Sequence, residues 1–266
     1  MTIICRKQMS AMMRAFSTTS TPKDPFPRGH STAGHVIVYG RGTTRVQKVT
    51  YLLEELQIPN ERVIFPSPAP AYLKDISPLG LVPAIRDGPI SLDGSNAICA
   101  YLAHKYGRDR GFFPEDSLAV GRAFQWGDYM ANYLASPRLN MVYHALINKA
   151  FPPSFKKDGC PSDEDIERHI DATVQALLLL DAHLFHTLGQ EHNHTSTSSA
   201  PSFIAATNKF TFADAIAAPW LHRWYEFAVI GDFGPRLAPR HFSSVVHYYD
   251  RLAARPAFER AILGSK

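Results

Sequence analysis

Val36-Ile-Val-Tyr39 is an unbroken apolar run of the length of a short buried strand. Beyond the polar loop Gly40 to Thr44, apolar side chains return at Val46, Val49, Leu52, Leu53 and Leu56. That spacing predicts a helix over Thr44 to Leu56, ended by Gln57-Ile-Pro59. Arg62 to Phe65 reads as a second strand, so strand, helix and strand form a βαβ unit with a right-handed crossover. Pro66, Pro68 and Pro70 stiffen the next connection, and Tyr72 to Ile76 reads as a short helix. Ala84 to Arg86 and Ile90 to Leu92 are strands about an Asp87-Gly88 turn. Ser95 then opens a helix whose apolar positions are Ala97, Ile98, Tyr101 and Leu102.

The second half of the chain carries the helical period alone. Leu118 to Ala135 and Arg138 to Lys149 are two helical stretches, bent or broken at Ser136-Pro137. Ala150 to Pro161 is a loop. Ser162 to Leu188 is a long helix with Ser162 at its start and Glu164 and Asp165 in its first turn. Gln190 to Ala200 is a His/Ser/Thr-rich insertion. Thr211 to Phe227 is a helix that opens with a capping box, in which Asp214 bonds back to Thr211. Phe242 to Ala253 and Ala257 to Leu263 close the chain on either side of Pro256. The expected division is a leader and flexible joint over 1–34, an α/β domain over 35–106, a linker over 107–117 and an all-helical domain over 118–266.

At 266 residues and 45% hydrophobic composition, the chain can bury one large core or two smaller ones. No apolar run approaches the length that spans a bilayer, so no membrane span is expected. Three cysteines, Cys5, Cys99 and Cys160, have no metal-type spacing. An odd, sparse set argues for a reducing compartment without a disulfide framework. The net charge is +4, and the first 23 residues hold four basic residues (Arg6, Lys7, Arg14, Lys23) and no acid. The remainder is therefore neutral overall, with no net basic character to hold nucleic acid. The acid-free, Ser/Thr-rich leader has the composition of a mitochondrial transit peptide, and Arg14-Ala-Phe16-Ser-Thr-Thr19 resembles a two-step processing signature. A basic tail on a cytoplasmic protein is the alternative, and Met9, Met12 and Met13 are internal starts that would shorten it. His192-x-His194 in a Ser/Thr-rich loop does not make a metal site.

Three motifs stand in order along the chain: Pro78-Leu-Gly-Leu-Val82-Pro83 ahead of a hairpin, Ser95-x-Ala97-Ile98 at a helix start, and Thr211-x-Ala213-Asp214 at another. Together they resemble the cytosolic-type glutathione transferases of the serine/threonine kind. The resemblance implies a thioredoxin-like domain followed by an all-helical domain, a homodimer, and glutathione as co-substrate with no metal. It implies a cis bond before Pro83, whereas local sequence alone favours trans, since only about 5–6% of such bonds in folded proteins are cis. Val82 would pair its backbone with the cysteinyl part of glutathione, and Ser95 at its helix start would hold the γ-glutamyl carboxylate.

Such an enzyme must hold a thiol of pKa about 8.5 as thiolate. A hydroxyl donor beside a helix N-terminus supplies part of that stabilisation. Thr43 falls where serine-type relatives carry Ser or Thr, with Thr44 next and Tyr39 as the outsider, and mere helix capping is the competing reading of both threonines. No cysteine lies in this loop, which argues against thiol-exchange chemistry. The family usually places an acid before the serine, for the γ-glutamyl ammonium. Here that position is Gly94 and the acid stands one place earlier, at Asp93. Trp126, Tyr129 and Tyr133, with Met130 and Tyr143, are candidates to line a pocket for an apolar electrophile. Asp214 is structural by the same resemblance. A non-catalytic ligand-binding or assembly module is the alternative function, favoured by Gly94.

Overall fold

The computed structural model describes residues 34–65, 69–147, 161–188 and 203–264. The leader, Pro66 and Pro68, nearly all of the loop over 150–161, and the insertion over 190–200 with His192 and His194 lie outside the described residues.

Strand β1 (Val36–Tyr39) is the hub of a four-stranded sheet in the order β2-β1-β3-β4. It runs parallel to β2 (Asn60–Val63) and antiparallel to β3 (Ala84–Asp87), which pairs antiparallel with β4 (Ile90–Asp93). Alternation along β1 divides two cores. Val36 and Val38 face the helices, while Ile37 and Tyr39 face a smaller cluster with Val63, Leu73, Ile76 and Ala84. A single 3₁₀ turn, Ala71–Asp75, supplies Leu73 to that outer cluster. The second strand lies two residues earlier than the apolar run Arg62 to Phe65 suggests. The Val36 N–H donates to Pro59 O and the Gly40 N–H donates to Val63 O, both at 3.0 Å, so the ladder begins beside Pro59 and ends at Val63. Pairing to β1, and not apolar content, sets the limits of this edge strand.

Helix α1 (Thr44–Leu56) is buried on nearly every side. It packs against α2 (Ser95–Gly107) and against α6 (Phe212–Val229), the central helix of the helical domain. The C-terminal segment closes over it: Tyr51 Oη donates to Leu252 O, and Arg255 makes two 2.6 Å bonds to the Glu55 carboxylate. The major core therefore runs without interruption from the sheet into the helical layer. Between α2 and α3 (Ser117–Asp128) the chain makes a 3₁₀ turn, Arg108–Arg110, and Asp116 caps α3 by accepting from the Ala119 N–H at 2.9 Å.

No break occurs at Ser136-Pro137. Helix α3 continues into a π-wound stretch, Tyr129–Leu139, and then into α4 (Asn140–Leu146). A proline deletes one N–H of the ladder, and the wider winding spreads that loss over several residues. The long helix α5 (Asp163–Leu188) begins with a reciprocal cap, in which Ser162 Oγ accepts from the Asp165 N–H and Asp165 accepts from the Ser162 N–H. Helix α7 (Ser243–Ala253) and a short terminal turn from Pro256 complete the layer. Among the described residues no helix is long and apolar enough to cross a membrane.

Candidate active site

Gly40 draws the site together. Its φ of +140° is a conformation side chains resist, and an added Cβ would stand 2.8 Å from Val46 Cγ2 and 3.1 Å from Val82 Cβ. Only a glycine lets the end of β1, the first turn of α1 and the Val82 loop approach so closely. Sequence reasoning gave Gly40 no role; a glycine directly after a buried strand and before a helix start was the available signal.

Thr43 is the N-cap of α1, with extended backbone, and its Oγ1 accepts from the Val46 N–H at 3.5 Å. The two readings of Thr43 are compatible, because the cap uses the oxygen as acceptor and leaves the O–H as a donor. Thr43 is half-buried, whereas Thr44 is buried, 4% exposed, inside the helix. Tyr39 is wholly buried in the outer cluster, with the Arg86 guanidinium 5.9 Å from its ring.

The Val82–Pro83 bond is cis. Among the described residues the Val82 N–H and C=O have no hydrogen-bond partner, which leaves the backbone of this one residue open for pairing. The loop is held by Ser77, whose Oγ donates to Asp93 Oδ2 at 2.5 Å and accepts from the Leu81 N–H at 3.0 Å. Asp93 is thus engaged as an anchor for the segment carrying Val82. Ser77, fully buried, is a second positioning residue, and the sequence motif that begins at Pro78 does not include it.

Helix α2 begins at Ser95 after Gly94, whose φ is +83°, and no side chain caps its first N–H groups. Such a start is ready for an anion. Behind Ser95 stands a polar chain. Lys48 Nζ of α1, 2% exposed as a residue, donates to Asn96 Oδ1 at 3.2 Å, and Asn96 Nδ2 donates to Asp128 Oδ1 at 3.3 Å. Burial pulls the Lys48 ammonium down to about 8 and pushes the neighbouring Cys99 thiol up to about 12. Cys99 is therefore an inert buried thiol.

Trp126, Tyr129 and Tyr133 line one cavity of about 340 Å³ together with Gln125, Asp128 and Asn132. Trp126 stacks on His183 at 3.7 Å, and Tyr129 Oη donates to Ala176 O at 2.7 Å, so both rings are fixed from α5. Burial raises the Tyr129 phenol and keeps it neutral. Tyr133 is more exposed and carries the Arg138 guanidinium 3.6 Å above its ring. Asp128 connects this cavity to the start of α2. Met130 is buried in the core, and Tyr143 packs on Phe227 and Arg223, away from that lining.

Asp214 is fully buried and accepts four bonds: from the Thr211 N–H, Thr211 Oγ1, the Ile204 N–H and Tyr248 Oη. Every one belongs to the fold, and none reaches the site. Burial raises its carboxyl while the four donors oppose the shift. Among the described residues no cluster of three or more His, Cys, Asp and Glu side chains is arranged to hold a metal.

The site therefore stands on a thioredoxin-like sheet, with an open backbone at a cis-proline, followed by a helical layer. Residues 44–105 match the family model of the glutathione S-transferase N-terminal domain. The GstB glutathione S-transferase of Escherichia coli is 26% identical over 235 residues, 86% of this chain and 98% of that protein. A glutathione transferase family member from Pseudomonas fluorescens, solved with two glutathione bound, superposes with a TM-score of 0.64 at 23% identity, covering 85% of this chain and 92% of its own. Ure2p in complex with glutathione superposes with a TM-score of 0.68 at 16% identity over 97% of this chain and 99% of its own. Residues 44–105 thus carry a glutathione S-transferase N-terminal domain, and most of the chain is similar to glutathione S-transferases.

Proposed function

We propose that the protein is a glutathione transferase that directs the glutathione thiolate at an apolar electrophile. The observation that carries this reading is the junction at Gly40, which brings the Thr43 loop and the unpaired backbone of Val82 to one place. Val82 would pair with the cysteinyl residue, Ser95 and the α2 start would take the γ-glutamyl carboxylate, and Thr43 O–H would donate to the sulfur. The thiol proton leaves to solvent, the sulfur lone pair forms a bond to carbon, and the leaving group departs with its electron pair. The protein contributes thiolate stabilisation and positioning. The aromatic cavity at Trp126, Tyr129 and Tyr133 would receive the acceptor's apolar body. Retention on immobilised glutathione, with thioether formation from an activated aryl halide, tests this. Retention without turnover would instead favour the second reading, a non-catalytic glutathione-binding module, which Gly94 at the usual acidic position supports.

The leader belongs to the same proposal as a mitochondrial address, supported by its acid-free, Arg-containing composition. Residues 1–34 fused to a fluorescent reporter should carry it to mitochondria. A uniformly cytosolic reporter would remove that part and leave the chemistry untouched.

A further inference from the structure

We infer that Arg223 of α6 receives a carboxylate carried by the electrophile, so that acceptors bearing one are preferred to neutral acceptors of the same shape; this rests on the transferase reading above. The guanidinium carbon lies 4.6 Å from the centre of the Tyr143 ring and 5.7 Å from that of Trp220. Those rings favour the charge but accept none of its N–H bonds. Among the described residues none of its five N–H groups donates to a protein acceptor, and no carboxylate pairs with it. Arg255, also partly buried, is by contrast tied to Glu55 by two 2.6 Å bonds. Burial lowers the Arg223 pKa, with Tyr143 and Glu226 opposing the shift through space. Glu226 itself lies 3.9 Å from His222.

Trp220 adds a second unmet donor. It is 4% exposed and its indole N–H has no partner, whereas Trp224, one turn later on the same helix, donates to Leu237 O at 3.1 Å. Buried donors are nearly always paired, and an anionic oxygen at Arg223 is the kind of group that answers such donors. The position also suits an acceptor. The Trp220 ring stands 6.0 Å from Lys48 Nζ, the ammonium that holds Asn96 beside Ser95. Arg223 is thus one indole away from the end of the site that takes glutathione. The lining of the 340 Å³ cavity includes the Asp128 carboxylate and no Lys or Arg, so it repels an anionic end and leaves Arg223 to receive it. Tyr143, outside that lining, becomes one wall of the charged subsite.

The test gives the full chain glutathione and two activated aryl chlorides, 4-chloro-3,5-dinitrobenzoate and its neutral amide. In both, the glutathione sulfur bonds to the ring carbon and chloride leaves with the electron pair. With each rate divided by its uncatalysed rate, the wild type should favour the benzoate by about tenfold in kcat/KM, the scale of one charge-assisted hydrogen bond. Arg223→Gln should lose that preference through a higher KM for the benzoate at little change in its kcat. Arg223→Lys keeps the charge without the planar fork and should retain part of it. An Arg223→Gln protein that keeps the full preference overturns the inference. So does a wild type without any preference, whether or not the variants fold, and the transferase reading then stands. A wild type that conjugates neither probe removes the transferase reading itself and the inference with it.

Discussion

Thr43 is where the chemistry of a single oxygen is tested. Its Oγ1 sits at the start of α1, already accepting a long 3.5 Å bond from Val46, so its proton is available to a sulfur. Thr43→Val keeps the shape and removes the donor, which costs a bound thiolate roughly 1.5–3 kcal/mol. The bound thiol should then titrate about one to two units higher, and turnover at neutral pH should fall about tenfold or more. Glutathione affinity should change little, and Thr43→Ser should keep most activity; steady-state kinetics and thiolate absorbance read both. Lys48 is the second residue-scale case. Its ammonium titrates near 8 in the fold against 10.5 for the free side chain. Between those values the unfolded chain binds a proton that the folded one does not. Stability should therefore climb as pH rises from 8 towards 10.5 and be lowest at and below 8. Lys48→Met should be the more stable protein at pH 7, by up to about 3 kcal/mol, and the two should converge near pH 10.5. Denaturant unfolding across that range measures it, and a constant gap would show that burial of the charge is not the cause.

Single elements carry the next level of organisation, and the start of α6 is the clearest. Thr211 and Asp214 form its capping box, and Asp214 also takes the Ile204 N–H and the Tyr248 hydroxyl, tying the preceding turn and α7 to one carboxylate. Asp214→Asn puts an NH₂ group among four donors, so at least one buried donor goes unsatisfied. A loss of about 3 kcal/mol or more is expected. The melting temperature should fall while the remaining folded protein keeps its affinity for glutathione; lost turnover at unchanged melting temperature would instead make Asp214 part of the site. The box was legible because Thr-x-x-Asp before an apolar run has a local mechanism. The π-wound stretch of Tyr129–Leu139 was not legible. A proline in a helical pattern signals a lost N–H, but whether the chain breaks or rewinds depends on neighbours that hold both sides. The limits of β2 were misjudged for a similar reason, since an edge strand ends where its one partner ends.

At the scale of the whole molecule, α1 is the shared wall of the two layers. It is clasped from the C-terminal end by Arg255, which makes two 2.6 Å bonds to Glu55, and by Arg260 on Glu54 at 2.7 Å. The Glu55 side chain is 7% exposed and the Arg255 side chain 31%, so that pair is shielded from solvent more than a surface pair. Glu55→Gln removes one charge without changing shape and should cost about 1–3 kcal/mol. Because one core runs through both layers, the chain should still unfold in a single transition, displaced to lower temperature. Two separated transitions by calorimetry would show that the layers are held independently.

The sequence by itself determined the order of elements, the buried face of α1 and the capping box at Asp214, whereas on α2 it found Ile98 and Leu102 but also named Ala97, which is exposed. Each rests on a period or a spacing within a dozen residues, which a one-dimensional pattern records. It also named Val82 and Ser95 through family resemblance. Only the tertiary structure decided what surrounds the site residues. The close approach at Gly40 joins three segments up to 42 positions apart. The bond that engages Asp93 comes from Ser77, and the carboxylate that accepts from Asn96 in the first turn of α2 comes from Asp128 in another layer. Contacts of that kind depend on packing between elements, and nothing in the local chemistry of either partner announces the other.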